Sequence, residues 1–361
     1  MVRWRSGTVT TVRREWHGAV ELDVTTDDGT VRALAYPELT GAPVAGDRVL
    51  LNVGALVMGL GTGGYALVVA LPDRLPADPP RSPGTDRDSG HLVKARYTPL
   101  QPILLGVDEE ASPHREVMAR ADSLDGMPVV TADLHSALPA ILAGVHADRP
   151  DARVAYVMTD GGALPAWFSR TLDGLRDRLA GTVTTGQAFG GDLEAGTVHT
   201  GLLAARHVLG ADVTIVAQGP GNLGTGTPWG FSGVALGETI NATVALGGAP
   251  VASLRISDGD ARPRHRGVSH HSLTAYGRVA LVPADLVIPD DLPVDLAKEV
   301  EADLAPLTGL HRLVRVPTAG LDAALEASPV RLSTMGRGLA QDHAYFITAA
   351  AAGRHAATLI G

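Results

Sequence analysis

Six residues with chemistry to offer fall in one short run: Arg262, Arg264, His265, Arg266, His270 and His271. Guanidinium groups grip phosphate or carboxylate through paired hydrogen bonds, so Arg264 and Arg266 are candidate anion ligands. The three histidines can carry protons or bind a metal ion. Ser269 can cap a helix whose first turn holds His270 and His271, and the positive end of that helix would lower their pKa values. Asp160 and Asp192 are the carboxylates read as orienting a histidine or a metal. The bland alternative is a solvated arginine run with surface histidines.

A second constellation is Gly219-Pro220-Gly221-Asn222-Leu223-Gly224, which matches G-x-G-x-x-G directly after an apolar run. In the dinucleotide fingerprint such glycines bring a pyrophosphate to a helix N-terminus. Here Gly226, Pro228 and Gly230 delay the helix to about Ser232. Asp258 stands 34 residues beyond Gly224, against the ~20 that a ribose-binding acid requires. The loop therefore reads as an anion cradle formed by Gly219, Gly221, Asn222, Gly224, Thr225 and Gly226. Its alternative is a structural loop packed under its neighbours. No cofactor is assigned.

Weaker signals are set beside these. His135, Asp160, Asp192 and the three clustered histidines offer donors suited to zinc or manganese. None of the short zinc signatures is present, and no metal ligand is assigned. His135-Ser136 offers a base and a nucleophile, but the G-x-S-x-G elbow is absent. Gly336-Arg337-Gly338 could add an anion contact, with a plain loop as the simpler reading.

These residues need a scaffold. From Met127 onward, apolar strands alternate with helices. Strands are read at Pro128–Ala132, Arg153–Thr159, Thr182–Thr185, Val213–Ala217, Val251–Ile256 and Leu313–Val316. Helices are read near Pro139, near Pro165, and over Leu193–Leu209, Ser232–Leu246 and His343–Leu359. Asp192 has a second reading as the cap of the helix from Leu193. Such alternation predicts a mostly parallel, Rossmann-like, doubly wound α/β sheet. Ligands bind such sheets beyond the carboxyl ends of the strands, where these loops fall. Ser112-Pro113 predicts a helix running to about Leu124.

Residues 1–72 read differently, with short strands at Gly7–Val12, Ala19–Thr25, Val31–Tyr36, Arg48–Val53 and Ala66–Leu71. They predict a small SH3-like or OB-like β-barrel. Val49 to Pro72 carries no charge, yet its glycine-rich centre favours a buried hairpin over a membrane span. Residues 73–90 form a proline-rich linker, and residues 91–361 the α/β domain.

Composition narrows the classes. The chain has 361 residues, 45% of them apolar and only 4% aromatic, so a large core is built from Ala, Val and Leu. There is no cysteine, which excludes disulfide scaffolds and thiolate chemistry. The net charge of −9 argues against a nucleic-acid binder. No secretory signal is read at the N-terminus, and a cytoplasmic location is expected. The expected partner is an anionic small molecule, with no membrane partner and homo-oligomer formation left open.

Several strings resemble a bacterial family known as a domain of unknown function, number 3866. They are GHLVKARYTPLQ (90–101), YVMTDGGALP (156–165), GQAFGGDLEA (186–195), QGPGNLGTGTPWGFSG (218–233), RHRGVSHHSLTA (264–275) and TMGRGL (334–339). Gln187 departs from the pattern, which leads one to expect a histidine there. The resemblance implies no activity, cofactor or catalytic residue, but its signature strings coincide with the loops singled out above. The functional expectation is an enzyme acting on an anionic or phosphorylated small molecule. The alternatives are a non-enzymatic ligand sensor or assembly subunit, and a metal-dependent hydrolase.

Overall fold

The computed structural model describes residues 2–78 and 90–361, so residues 79–89 of the proline-rich linker lie outside the described residues. Two compact units emerge: residues 1–105 with 167–173, and residues 106–166 with 174–361.

The first unit contains a closed barrel of β1 (Trp4–Trp16), β2 (Ala19–Thr26), β3 (Gly29–Ala35), β4 (Arg48–Asn52) and β5 (Ala66–Ala70), in the order β1-β2-β3-β5-β4. Alternating apolar residues send Val9, Leu22, Val24, Val49, Leu51 and Val68 inward. The β2–β3 turn needs Gly29, whose φ is +113°. The uncharged stretch after Val49 folds as β4, a one-turn helix at Gly54–Val57, and β5, with β4 and β5 antiparallel. Among the described residues no helix is long and apolar enough to cross a membrane.

The second unit is built on an eight-stranded, all-parallel sheet. Its strands are β6 (Pro128–Ala132), β7 (Val154–Thr159), β8 (Gly181–Thr184), β9 (Leu193–Glu194), β10 (Val213–Gln218), β11 (Ala249–Ser253), β12 (Asp285–Pro289) and β13 (Arg312–Val316). Their spatial order is β9-β8-β7-β10-β6-β11-β12-β13. The central strands β6, β7 and β10 are almost wholly buried, as their largely apolar sequences require. Helices α1 (Leu138–Asp148), α2 (Val198–His207), α3 (Leu236–Ala245) and α6 (His343–Thr358) pack on the sheet. Between α3 and α6 in the chain lie the short helix α4 (His270–Thr274) and the longer α5 (Val294–Leu304).

Glycine sets one helix contact. A Cβ at Gly144 of α1 would lie 1.9 Å from the Ala350 carbonyl oxygen, and one at Gly353 of α6 would lie 2.0 Å from that of Ile141. The two helices touch backbone to backbone, which an alanine-rich, aromatic-poor core permits.

The structure departs from the sequence reading in three places. The helix expected from Leu193 begins at Val198, capped by Thr197, and Leu193–Glu194 is an edge strand. Asp192 therefore caps no helix. The helix expected after Pro113 is a single turn, Arg115–Met118. Beyond it Ser123 Oγ accepts from the Asp125 N–H, and the Leu124 N–H donates to the Leu246 carbonyl, which ends the helix. Strand β12 and helix α5 add a further β-α unit that the sequence reading passed over.

Candidate functional site

Strands β10, β6 and β11 are adjacent at the centre of the sheet. The chain leaves β6 toward β7 on one side and leaves β11 toward β12 on the other. That divergence opens a crevice at their carboxyl ends, the usual ligand position of such sheets. Three polar residues stand there: Asp133 directly after β6, Gln218 closing β10, and Arg255 two residues beyond β11.

Arg255 is buried, and a buried guanidinium needs partners. Its Nη1 lies 3.2 Å from Asp133 Oδ2 and its Nη2 lies 3.5 Å from Asp260 Oδ2. Asp260 also pairs with Arg262 at 2.6 Å and with Arg337 at 3.1 Å. Arg337 reaches Asp342 at 2.8 Å. Three carboxylates thus balance three guanidinium groups. The Arg262 hydrogen bond holds Asp260 far below the ordinary carboxylate range. Burial alone would raise Asp133, but the His271 hydrogen bond and the Arg255 charge outweigh it and hold the group ionised.

The histidines are delivered by a short return of the chain. Ile256–Ser257 and Gly267–Val268 form a small antiparallel ladder that turns the arginine run back toward the sheet. Ser269 then caps α4, accepting from the His271 N–H at 3.2 Å. The same hydroxyl lies 2.8 Å from His265 Nδ1. His271 Nδ1 lies 2.8 Å from Asp133 Oδ2. An ionised carboxylate can only accept, so Nδ1 carries a proton and donates it to Asp133.

The three rings converge. Their centroids lie 5.0 Å apart for His265 and His270, 4.9 Å for His265 and His271, and 4.4 Å for His270 and His271. One nitrogen from each lies within 4.8 Å of the others. Phe231 stacks on His271 at 3.9 Å and fixes the plane of that ring. Burial, reinforced by the Arg255 charge, pushes His265 down to about 3. Burial and the neighbouring His271 push His270 down to about 4. Both are neutral at pH 7 and present lone pairs.

The glycine loop covers this cluster in a form of its own. Gly219 packs against the loop after β7, where a Cβ would lie 2.4 Å from the Ala163 carbonyl oxygen. Farther on, Thr225 N–H donates to the Gly230 carbonyl and Leu223 N–H to Ser232 Oγ. Those two amides serve the loop itself and so are not part of an anion nest. The helix opens after Phe231 rather than inside the motif, so the dinucleotide geometry is absent. Asn222 accepts from Ser232 Oγ at 2.7 Å and its amide nitrogen lies 3.4 Å from Asp133 Oδ1. It braces Asp133 rather than offering a free anion contact. Gly226, in the left-handed region at φ +81°, lies beside the Arg264 guanidinium. Gly221 is left-handed as well, and a Cβ on Gly224 would meet open space.

The candidates from the sequence thus divide. His265, His270 and His271 come together, with exposed Arg264 close enough to His270 to lower its pKa. Arg266 is exposed and Arg262 is committed to Asp260. Asp160 accepts from the Gln187 N–H at 2.8 Å and pins the loop after β8. Asp192 accepts from Thr182 and lies 3.5 Å from Arg176. The carboxylate that orients a histidine is Asp133, in place of Asp160 or Asp192. His135 is buried against Tyr156, 2.9 Å from its hydroxyl, and stands outside the imidazole cluster. Arg337, read as an optional anion contact, belongs to the buried ionic network. Asp133 reads in the sequence only as one of the polar residues after the first strand, with no role, and Arg255 and Phe231 escaped the sequence reading. One signal was available: Arg255 is a charge set inside the apolar run Val251–Ile256.

The loops that build this site carry the strings on which the family resemblance rests. A family model described as a protein of unknown function (DUF3866) matches residues 32–353. The chain belongs to the DUF3866 family. The match spans part of the barrel and nearly the whole α/β unit, including every residue of the DUF3866 site described above. No curated protein matches the chain.

Proposed function

We propose that this carboxyl edge is the active site of an enzyme acting on a small anionic molecule. One observation carries the reading: the Asp133–His271 hydrogen bond at the mouth of a charge-balanced buried network, facing the imidazoles of His265 and His270. A carboxylate that holds an imidazole in one tautomer makes its far nitrogen a positioned base. Arg255, Arg262 and Arg337 are spent on Asp133, Asp260 and Asp342, so they are not the substrate's ligands. Arg264, exposed, supplies positive charge beside His270, and Arg266 is exposed two residues along the same run. A phosphate or carboxylate is the group that such guanidinium pairs recognise.

The test is a thermal-shift screen of the full chain against nucleotides, sugar phosphates and acyl-CoA thioesters, followed by product analysis of each hit. A ligand at a hundred times its Kd adds ~2.7 kcal/mol of stability, which a melting curve resolves. The expected result is a shift by at least one anion, weakened in Arg264→Ala and Arg266→Ala, with conversion of that anion lost in His271→Gln. No shift across the screen sinks the reading. Recovery of a tightly bound anion unchanged would make the protein a ligand sensor instead.

A further inference from the structure

The cluster has more order than a set of proton carriers needs. We propose that His265, His270 and His271 together hold one divalent first-row transition ion, Zn²⁺ foremost, with a coordination position left for the anionic substrate. This inference rests on the reading of the edge as an anion site and names what the anion would meet there.

Three independent features support the ion. The first is convergence: one ring nitrogen from each histidine lies within 4.8 Å of the others. Small rotations close that spacing to the ~3.3 Å that three ligands take around a tetrahedral ion with bonds of ~2.0–2.1 Å. The second is the outer shell. His271 Nδ1 is held by Asp133 at 2.8 Å and His265 Nδ1 by Ser269 at 2.8 Å, so both rings offer Nε2. Metal-bound imidazoles are oriented in this way, by a carboxylate or hydroxyl on the far nitrogen. The third is His270 Nε2, which is buried and has no hydrogen-bond partner among the described residues. A buried polar nitrogen without a partner costs free energy, and a metal bond would satisfy it.

Donor chemistry selects the ion. Three imidazole nitrogens without a carboxylate in the inner set suit zinc, nickel, copper or iron rather than magnesium or calcium. The charge balance also has a consequence. With Asp133, Asp260 and Asp342 paired to arginines, neutral ligands would leave the ion its full positive charge, which favours an anion in the remaining position. The ion would supply Lewis-acid polarisation of that anion. The competing account is plain packing of three rings around Phe231, which leaves His270 Nε2 unexplained.

The test uses the untagged full-length chain, stripped with a chelator and titrated with Zn²⁺ by calorimetry and with Co²⁺ by visible absorption. One ion per chain and a tetrahedral Co²⁺ spectrum are expected. H265A, H270A and H271A should each weaken Zn²⁺ by at least ~100-fold, and Asp133→Asn by ~10–100-fold. H343A, altering an exposed histidine away from the cluster, should leave affinity unchanged. Should an alanine variant fail to fold, X-ray absorption of the Co²⁺-loaded wild type decides instead, imidazole scattering upholding the site and its absence overturning it. Sub-stoichiometric binding, or unchanged affinity in folded cluster variants, overturns the proposal. Undiminished anion binding and turnover by the stripped protein also overturn it, while the anion reading stands. One bound Zn²⁺ with no anion response upholds the metal site and removes the anion reading.

Discussion

His271 Nδ1 and Asp133 Oδ2 lie 2.8 Å apart although 138 residues separate them in the chain. Asp133 ends the first strand of the parallel sheet and His271 opens a helix after the fifth long strand, so the sheet alone makes them neighbours. The pair is buried, and Arg255 shares the same carboxylate oxygen. Asp133→Asn keeps the shape and removes the charge. His271 should lose its fixed tautomer, and nitrogen-detected imidazole NMR should show Nδ1–H replaced by a mixture. Any turnover found should fall by ~10²–10⁴-fold, the usual cost of losing a tautomer-fixing carboxylate.

Arg255→Met removes a buried cation and leaves Asp133 with His271 and Asn222 but no arginine. Breaking one partner of a buried ion pair costs about 3–5 kcal/mol. Urea unfolding should show the midpoint fall while the slope holds, because the area buried is nearly unchanged. An unchanged midpoint would mean that the network contributes nothing to stability.

Arg264→Ala and Arg266→Ala should behave in the opposite way. Both side chains are exposed and make no ion pair among the described residues. Melting temperatures should stay within about 2 °C of wild type, as for surface changes of under ~0.5 kcal/mol. Anion affinity should fall and should lose part of its salt dependence. A variant that melts early with anion affinity intact would reverse these roles.

Stability should fall in mild acid, partly through His135. Burial lowers its pKa to about 4 from the ordinary 6.5, only partly offset by a hydrogen bond with the Gln218 backbone. Between these values the unfolded chain binds a proton that the folded chain refuses. Stability therefore rises with pH through the window, is complete above about 6.5, and is lost toward pH 4. The shift corresponds to about 3 kcal/mol. His135→Gln should flatten that part of the wild-type curve, as denaturant midpoints at pH 4.5 and 7.5 would reveal.

Gly144→Ala or Gly353→Ala should destabilise the α/β unit, since either Cβ would press on a backbone carbonyl across the α1–α6 contact. Overpacking of this kind costs ~1–3 kcal/mol. Gly224→Ala, where a Cβ meets open space, is the control and should unfold with wild type.

Much of the architecture was legible because it is local. The run Pro128–Ala132 can only be a buried strand, and the Asp27-Asp28-Gly29 turn predicts the β2–β3 hairpin from three residues. Ser269 announces its helix by being a serine ahead of His270. The arginine and histidine run was likewise visible as a concentration of chemistry. What the letters could not assign was pairing. Asp192 precedes β9 and bonds to Thr182 at the amino end of β8, whereas Asp160 follows β7 as Asp133 follows β6, so strand order separates those two. That order puts β10, β6 and β11 side by side, an arrangement set by crossovers tens of residues long. Arg255 shows the same limit from the other side: an arginine in an apolar run reads as an interruption until Asp133 and Asp260 close on it. Residue types and local periodicity therefore determined the elements and the kinds of chemistry. The tertiary structure decided which carboxylate meets which imidazole, because charge pairing in a buried crevice depends on distance in space and not along the chain.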